Sequence, residues 1–191
     1  MKRTHPNGFT LLETIIFSAI FVIVIMAIYT TYVATHTTFT AELNKIEAQQ
    51  NAWAGGERMS REIRTAGYDP SDVITVLSTT AVQVANANDI TFIADVDGDG
   101  NTDQVRYSLN GNAQIIRESS SWNGAAFPAF TPSVVADGVS ALTFTYYDGS
   151  DTVTTTLADI RRITIDLTAQ QTVGGRPATF PLTTDVRLRN L

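Results

Sequence analysis

Two observations predict an α+β fold: a helical pattern from Phe9 to about Gly67, and a period-two pattern that replaces it after Pro70. The arrangement expected is a long N-terminal helix, with a membrane half and an amphipathic half, packed on an antiparallel β-sheet body. At 191 residues the chain has room for one ordinary domain plus an extended element. Its 43% hydrophobic and 17% charged residues fit a folded chain.

The first element is apolar. Residues 1–8 are short and basic (Lys2, Arg3) and end in Gly8, and residues 9–34 follow as a continuous apolar run without proline or glycine. From Phe9 this run covers about 24 residues, or ~36 Å of helix, enough for a hydrocarbon core of ~30 Å. Lys2 and Arg3 have no basic counterweight just beyond the run, so the remainder of the chain is expected outside the membrane. Glu13 is the only carboxylate at its start. A carboxylate at bilayer depth costs roughly 2.5–3.5 kcal/mol, less at the interface, and such residues usually have a partner. On spacing alone, a paired Glu13 and one solvated by headgroups are equal readings. A secretory signal places its small cleavage residue after the apolar core. Here the small residue, Gly8, precedes it, so cleavage there leaves the helix on the mature chain.

The string Gly8-Phe9-Thr10-Leu11-Leu12-Glu13 resembles the signature of type IV pilins and pseudopilins: a basic leader ending in glycine, then Phe-Thr-Leu-Leu/Ile-Glu. The resemblance implies that residues 1–8 are a prepilin leader. A prepilin peptidase then cuts between Gly8 and Phe9 and methylates the new amine of Phe9, with which Glu13 of a neighbouring subunit pairs. The partners implied are other pilins and minor pilins, the prepilin peptidase, an inner-membrane assembly platform, and membrane lipid before assembly.

The helical period continues through residues 35–67. Phe39, Leu43, Ile46, Trp53, Met59 and Ile63 recur at near multiples of three and four and predict one apolar stripe docked on the body. Gly55-Gly56 predicts softening or a bend. Gly67 is the expected C-terminal cap, with Pro70 preventing continuation. The phrase Arg61-Glu62-Ile63-Arg64-Thr65-Ala66-Gly67-Tyr68 resembles the end of the long helix in PilW-type minor pilins.

In the body, residues 68–191, strands are expected at 73–77, 81–85, 90–94, 104–109, 114–117, 141–147, 152–157, 162–168 and 179–188. Asn110-Gly111 and Asp148-Gly149 read as two-residue hairpin turns, and residues 119–124 as a loop. The ending Thr184-Asp185-Val186-Arg187-Leu188-Arg189-Asn190-Leu191 resembles the last strand of PilW-type and related minor pilins.

One loop carries metal-ligand chemistry. Asp95, Asp97, Asp99, Asn101 and Asp103 place alternate oxygens around Gly98 and Gly100, as in the first part of a calcium loop. The twelfth position is Arg106 in place of a bidentate glutamate, and a strand precedes the loop where a helix is usual. Calcium as a cofactor, not required for the fold, and a plain Asp/Gly-rich turn are the two readings.

Composition limits the other function classes. Net charge is −6, and −8 without residues 1–8, so no nucleic acid partner is expected. There is no cysteine, and the two histidines are His5 and His36, one before the apolar run and one near its end. No enzyme is expected. The resemblance implies a non-enzymatic minor pilin of a type IV pilus that acts in assembly or priming, stored in the inner membrane with its body in the periplasm. The alternatives are a J-type minor pseudopilin of type II secretion and a filament-borne adhesion module using Trp122, Phe127 and Phe130.

Overall fold

The computed structural model describes residues 9–173 and 176–191. It is α+β, with one long helix, α1 (Leu11–Arg64), followed by antiparallel strands. The chain divides into two compact units, a helical one ending at Leu43 and a body running from Asn44 to Leu191.

In the first unit the side chains from Phe9 to Phe39 are exposed. The most apolar 18-residue window has a mean hydropathy of 2.7, so this helix is long and apolar enough to cross a membrane. Six of its hydroxyls are satisfied internally: Ser18, Thr30, Thr31, Thr35, Thr37 and Thr38 each donate to a carbonyl three or four residues back, at 2.9 Å. A hydroxyl so bonded can enter an apolar environment without leaving a donor unpaired.

The body is built on residues 44–64 of α1. Five strands form one sheet in the order β1 (Val82–Ala85), β2 (Asp89–Ala94), β3 (Asp103–Leu109), β4 (Ile115–Ser121), β5 (Thr131–Ala136). Three more, β6 (Val139–Tyr147), β7 (Arg162–Val173) and β8 (Arg176–Arg187), form a second sheet. The sheets join where the Phe144 amide donates to Ala87 O (2.7 Å) and the Tyr146 hydroxyl to Asn86 O (2.7 Å). Ala48, Ala52, Met59 and Ile63 of the helix share one core with Phe92, Val105, Ile115, Phe144, Ile165 and Val186.

The helix meets the sheets by its small residues. A Cβ on Gly55 would lie 2.9 Å from the Ala136 Cβ, and one on Gly56 2.8 Å from Leu182 Cδ2. The helix is not interrupted at either glycine, and both allow close approach to β5 and β8. The expected stripe is corrected as well. Only Met59 and Ile63 of that set are buried, whereas Trp53 is 65% exposed and Phe39, Leu43 and Ile46 are also exposed. The buried face runs through Ala48, Ala52, Gly55, Gly56, Met59 and Ile63 at helical spacing, and Ile46 and Trp53 lie off it.

The helix ends in a turn at Gly67, whose φ of 86° is left-handed and whose amide donates to Ile93 O at 2.9 Å. Beyond Pro70 the structure departs from the strand expected at 73–77. Val73–Val76 is a short helix, α2, held by the Asp69 carboxylate, which accepts from the Ile74 amide at 2.6 Å. That side-chain bond wins over the strand propensity of a β-branched run too short to find a partner. The strand expected at 152–157 is a single bridge at Val153 and a 3₁₀ turn, Leu157–Asp159. The Asp148 carboxylate accepts from the Ser150 and Thr152 amides and curls the chain away. In the same way Asn110 Oδ1 accepts from Asn112 and Gln114, so the turn after β3 is longer than two residues and its left-handed residue is Ala113.

Strand β5 has no counterpart among the strands expected from the sequence, and β4 runs through Ser119–Ser121, inside the expected loop. Of the four outer strands, β5 and β8 carry proline. The Leu188 amide donates to Arg161 O, so even-numbered residues of β8 face β7, and Pro177 and Pro181 turn their nitrogens outward. The same alternation, set by the Trp122 amide donating to Thr102 O, turns Pro132 of β5 outward. Each edge lacks an outward donor at its prolines, Pro132 on β5 and Pro177 and Pro181 on β8, which disfavours strand addition there.

The packing of the two glycines gives an asymmetric expectation. Gly55→Ala gains about 1 kcal/mol of helix propensity but meets the rigid Ala136 Cβ, at an overpacking cost of roughly 1–3 kcal/mol. Gly56→Ala meets the mobile end of Leu182, which can turn aside. Thermal unfolding followed by circular dichroism should show Gly55→Ala less stable than wild type and Gly56→Ala close to it. Equal effects would contradict this packing.

Candidate functional site

Gly8, the expected cleavage residue, lies with the rest of 1–8 outside the described residues. The site that can be built begins at Phe9, which is 82% exposed. Thr10 precedes the first helical residue, and its Oγ1 accepts from the Glu13 amide at 3.3 Å. Thr10-Leu11-Leu12-Glu13 therefore has the residues and spacing of a capping box as well as those of the processing motif it resembles. Glu13 sits in the first turn, where the helix dipole favours an anion. Its carboxylate is exposed and has no hydrogen bond or ion pair among the described residues. The helix thus presents a solvated carboxylate one turn from Phe9, open to a cation from outside the chain.

The acidic loop connects β2 to β3. Asp95 Oδ1 and Oδ2 accept from the Gly98 and Gly100 amides at 2.7 and 3.1 Å, and Gly98 and Gly100 both have positive φ. Asp97 accepts from Asp99 N, and Asp99 from Asn101 N. Asp95, Asp97 and Asp99 each offer a carboxylate oxygen within 4.8 Å of the others, a set able to hold a divalent cation. The remaining expected ligands are engaged elsewhere. Asn101 donates to Trp122 O (2.9 Å) while its Oδ1 accepts from Thr102 N, and Asp103 accepts from the Ser121 hydroxyl. Arg106, at the twelfth position, pairs with Asp89 and Glu118. Three of the five residues converge and two brace the neighbouring turn.

Asp69 was not singled out from the sequence, yet it anchors this loop, accepting from the Thr102 hydroxyl at 2.6 Å as well as from Ile74 N. No local motif marks it, because its partners are 5 and 33 residues away. The aromatic candidates are half-buried, and Trp122 and Phe127 pack edge to face at 5.2 Å between ring centres. Trp122 and Phe127 thus partly cover each other.

A second charged element lies inside the body. Arg117 of β4 donates to Glu62 of α1 at 2.7 Å, with both side chains largely buried. The Tyr107 hydroxyl is buried beside them with no partner among the described residues, and burial followed by the Glu62 charge pushes its pKa well above the ordinary tyrosine range. No family model matches the chain, and no curated protein is found as a relative.

Asp103 supplies the test of the loop's electrostatics. Burial raises its pKa above the ordinary 3.8, with Asp97 and Asp99 adding to the rise and the Ser121 bond opposing it. A raised folded-state value means its contribution to stability is present below the unfolded pKa and lost as pH rises through the folded one. In chelator, Asp103→Asn, which still accepts from Ser121, should raise the melting temperature at pH 7 and lose that gain below about pH 4. A gain independent of pH would contradict this. Repeating the pH 7 melt of wild type and Asp97→Asn in millimolar calcium tests the ion. A loop that takes calcium stabilises wild type over the variant, and an unchanged order of stability marks a plain turn.

Proposed function

We propose that the chain is a minor-pilin-like structural subunit, stored in the inner membrane with its body in the periplasm and drawn into a type IV filament through α1. The observation that carries this reading is the double use of one helix. Its first part has an apolar, wholly exposed surface with Glu13 in its first turn, and its last part is a core element of the body. A cleavable signal or a simple tether has no need of that continuity. Membrane lipid suits the apolar surface before assembly, and equivalent helices of neighbouring subunits suit it afterwards. Loss of residues 1–8 exposes an amine at Phe9, the natural cation for the unpaired Glu13 carboxylate of a neighbour. Pairing offsets a burial cost of roughly 2.5–3.5 kcal/mol only when both groups leave water together.

The test is Glu13→Leu, which keeps the membrane segment apolar and removes the charge. Incorporation into sheared filaments, measured against the amount of membrane-held precursor, should fall by about tenfold or more, since 1.4 kcal/mol is a factor of ten. Undiminished incorporation would refute the pairing role.

A further inference from the structure

The body carries a cationic groove that the helix does not use. Arg64 from the last turn of α1, Arg162 from β7, Arg187 from β8 and Arg189 beyond it line an open groove of about 570 Å³ with Asp151 and Asp185. Both aspartates are spent on its floor. Arg162 bonds to Asp151 at 2.9 Å and to Asp185 at 3.1 Å, and its guanidinium lies over the Tyr147 ring at 3.8 Å. Arg187 approaches Asp151 only at 3.8 Å. Arg64 and Arg189 have no ion pair among the described residues. The helix dipole accounts for Arg64, which stands in the last turn, but not for Arg189.

On a chain of net charge −6 this groove is the exception, and the same body holds its complement. Asp97 and Asp99 are exposed at the tip of the β2–β3 loop and bond only to backbone amides. Within one copy neither patch pairs with the other. Backbone strand addition between bodies is obstructed at β5 and β8 by their outward prolines. A contact between copies through side chains has its register set by opposite potentials.

We propose that the Arg64–Arg187–Arg189 groove of one copy receives the Asp97–Asp99 loop of a second copy, in a head-to-tail contact. Such a contact leaves one groove and one loop free at the ends, so it can repeat. It uses neither Gly8 nor Glu13, and Glu13→Leu leaves it intact, which separates its failure from that of the filament reading.

The full-length chain in a non-ionic detergent is followed by sedimentation velocity in about 0.01 M and about 1 M salt, where charge attraction is long-ranged and almost abolished respectively. Low-salt association should weaken by about tenfold in Arg64→Glu/Arg189→Glu and similarly in Asp97→Lys/Asp99→Lys, and all forms should converge at high salt. Mixing the two variants should restore association, because each then supplies what the other's reversed patch needs. Melting temperatures check that both variants are folded, and Arg64→Gln/Arg189→Gln replaces the groove reversal if it is not. Salt-insensitive association, weakening by only one of the two reversals, or a mixture no stronger than its components would each overturn the proposal.

Discussion

The body depends on how close one helix comes to two sheets. Around Gly55 and Gly56 the backbone of α1 lies so near β5 and β8 that a single methyl group at either position meets a neighbour below 3.0 Å. Ala48 and Ala52 continue the small face toward the N-terminus, and Met59 and Ile63 widen it toward the C-terminus, where the core deepens. The Glu62–Arg117 pair then fixes the helix against β4. A buried pair of this kind adds little net stability once desolvation is counted. Losing one partner is costly, so the pair specifies which side of the helix faces the sheet.

That constraint decides what remains outside. Ile46 and Trp53, seven residues apart and so on one helical face, are exposed because that face is not the one that carries Ala48, Ala52, Gly55, Gly56, Met59 and Ile63. The helix therefore serves twice within its length, as an apolar surface turned outward and as a thin structural spine for the sheets. The proposed passage from lipid to a helical assembly would use both, since the outward surface would change partners while the spine keeps its own.

The helix, the cap at Gly67 and most strands were legible in the sequence because each rests on local pattern: 3.6-residue apolar spacing, a left-handed glycine, alternation in segments such as Ile163, Ile165 and Leu167. The errors arose where a distant or side-chain contact decided the outcome. Residues 73–77 have the composition of a strand, but Asp69 turns them into a helix. β5 hides behind Pro132, which argues against a central strand yet suits an edge. Of the apolar stripe, Met59 and Ile63 are buried as expected, but Phe39, Leu43, Ile46 and Trp53 are exposed, because the packing face is completed by alanine and glycine, which residue size does not reveal. In the acidic loop the spacing correctly grouped Asp95, Asp97 and Asp99, but the contacts of Asn101 with Trp122 and of Asp103 with Ser121 depend on the sheet pairing of β3 with β4.

Thr10 and Glu13 illustrate how one short string holds two layers of information. The hydroxyl that closes the first turn and the acid one turn in form a helix start on physical grounds alone, and the same residues belong to the string that resembles a processing signature. The most direct measurement is the mass of the N-terminal peptide of the chain isolated from membranes of cells that make it with its processing machinery. The account predicts a peptide beginning at Phe9 and bearing one added methyl group. A peptide beginning at Met1 or Lys2, or at a residue beyond the apolar helix, would contradict it.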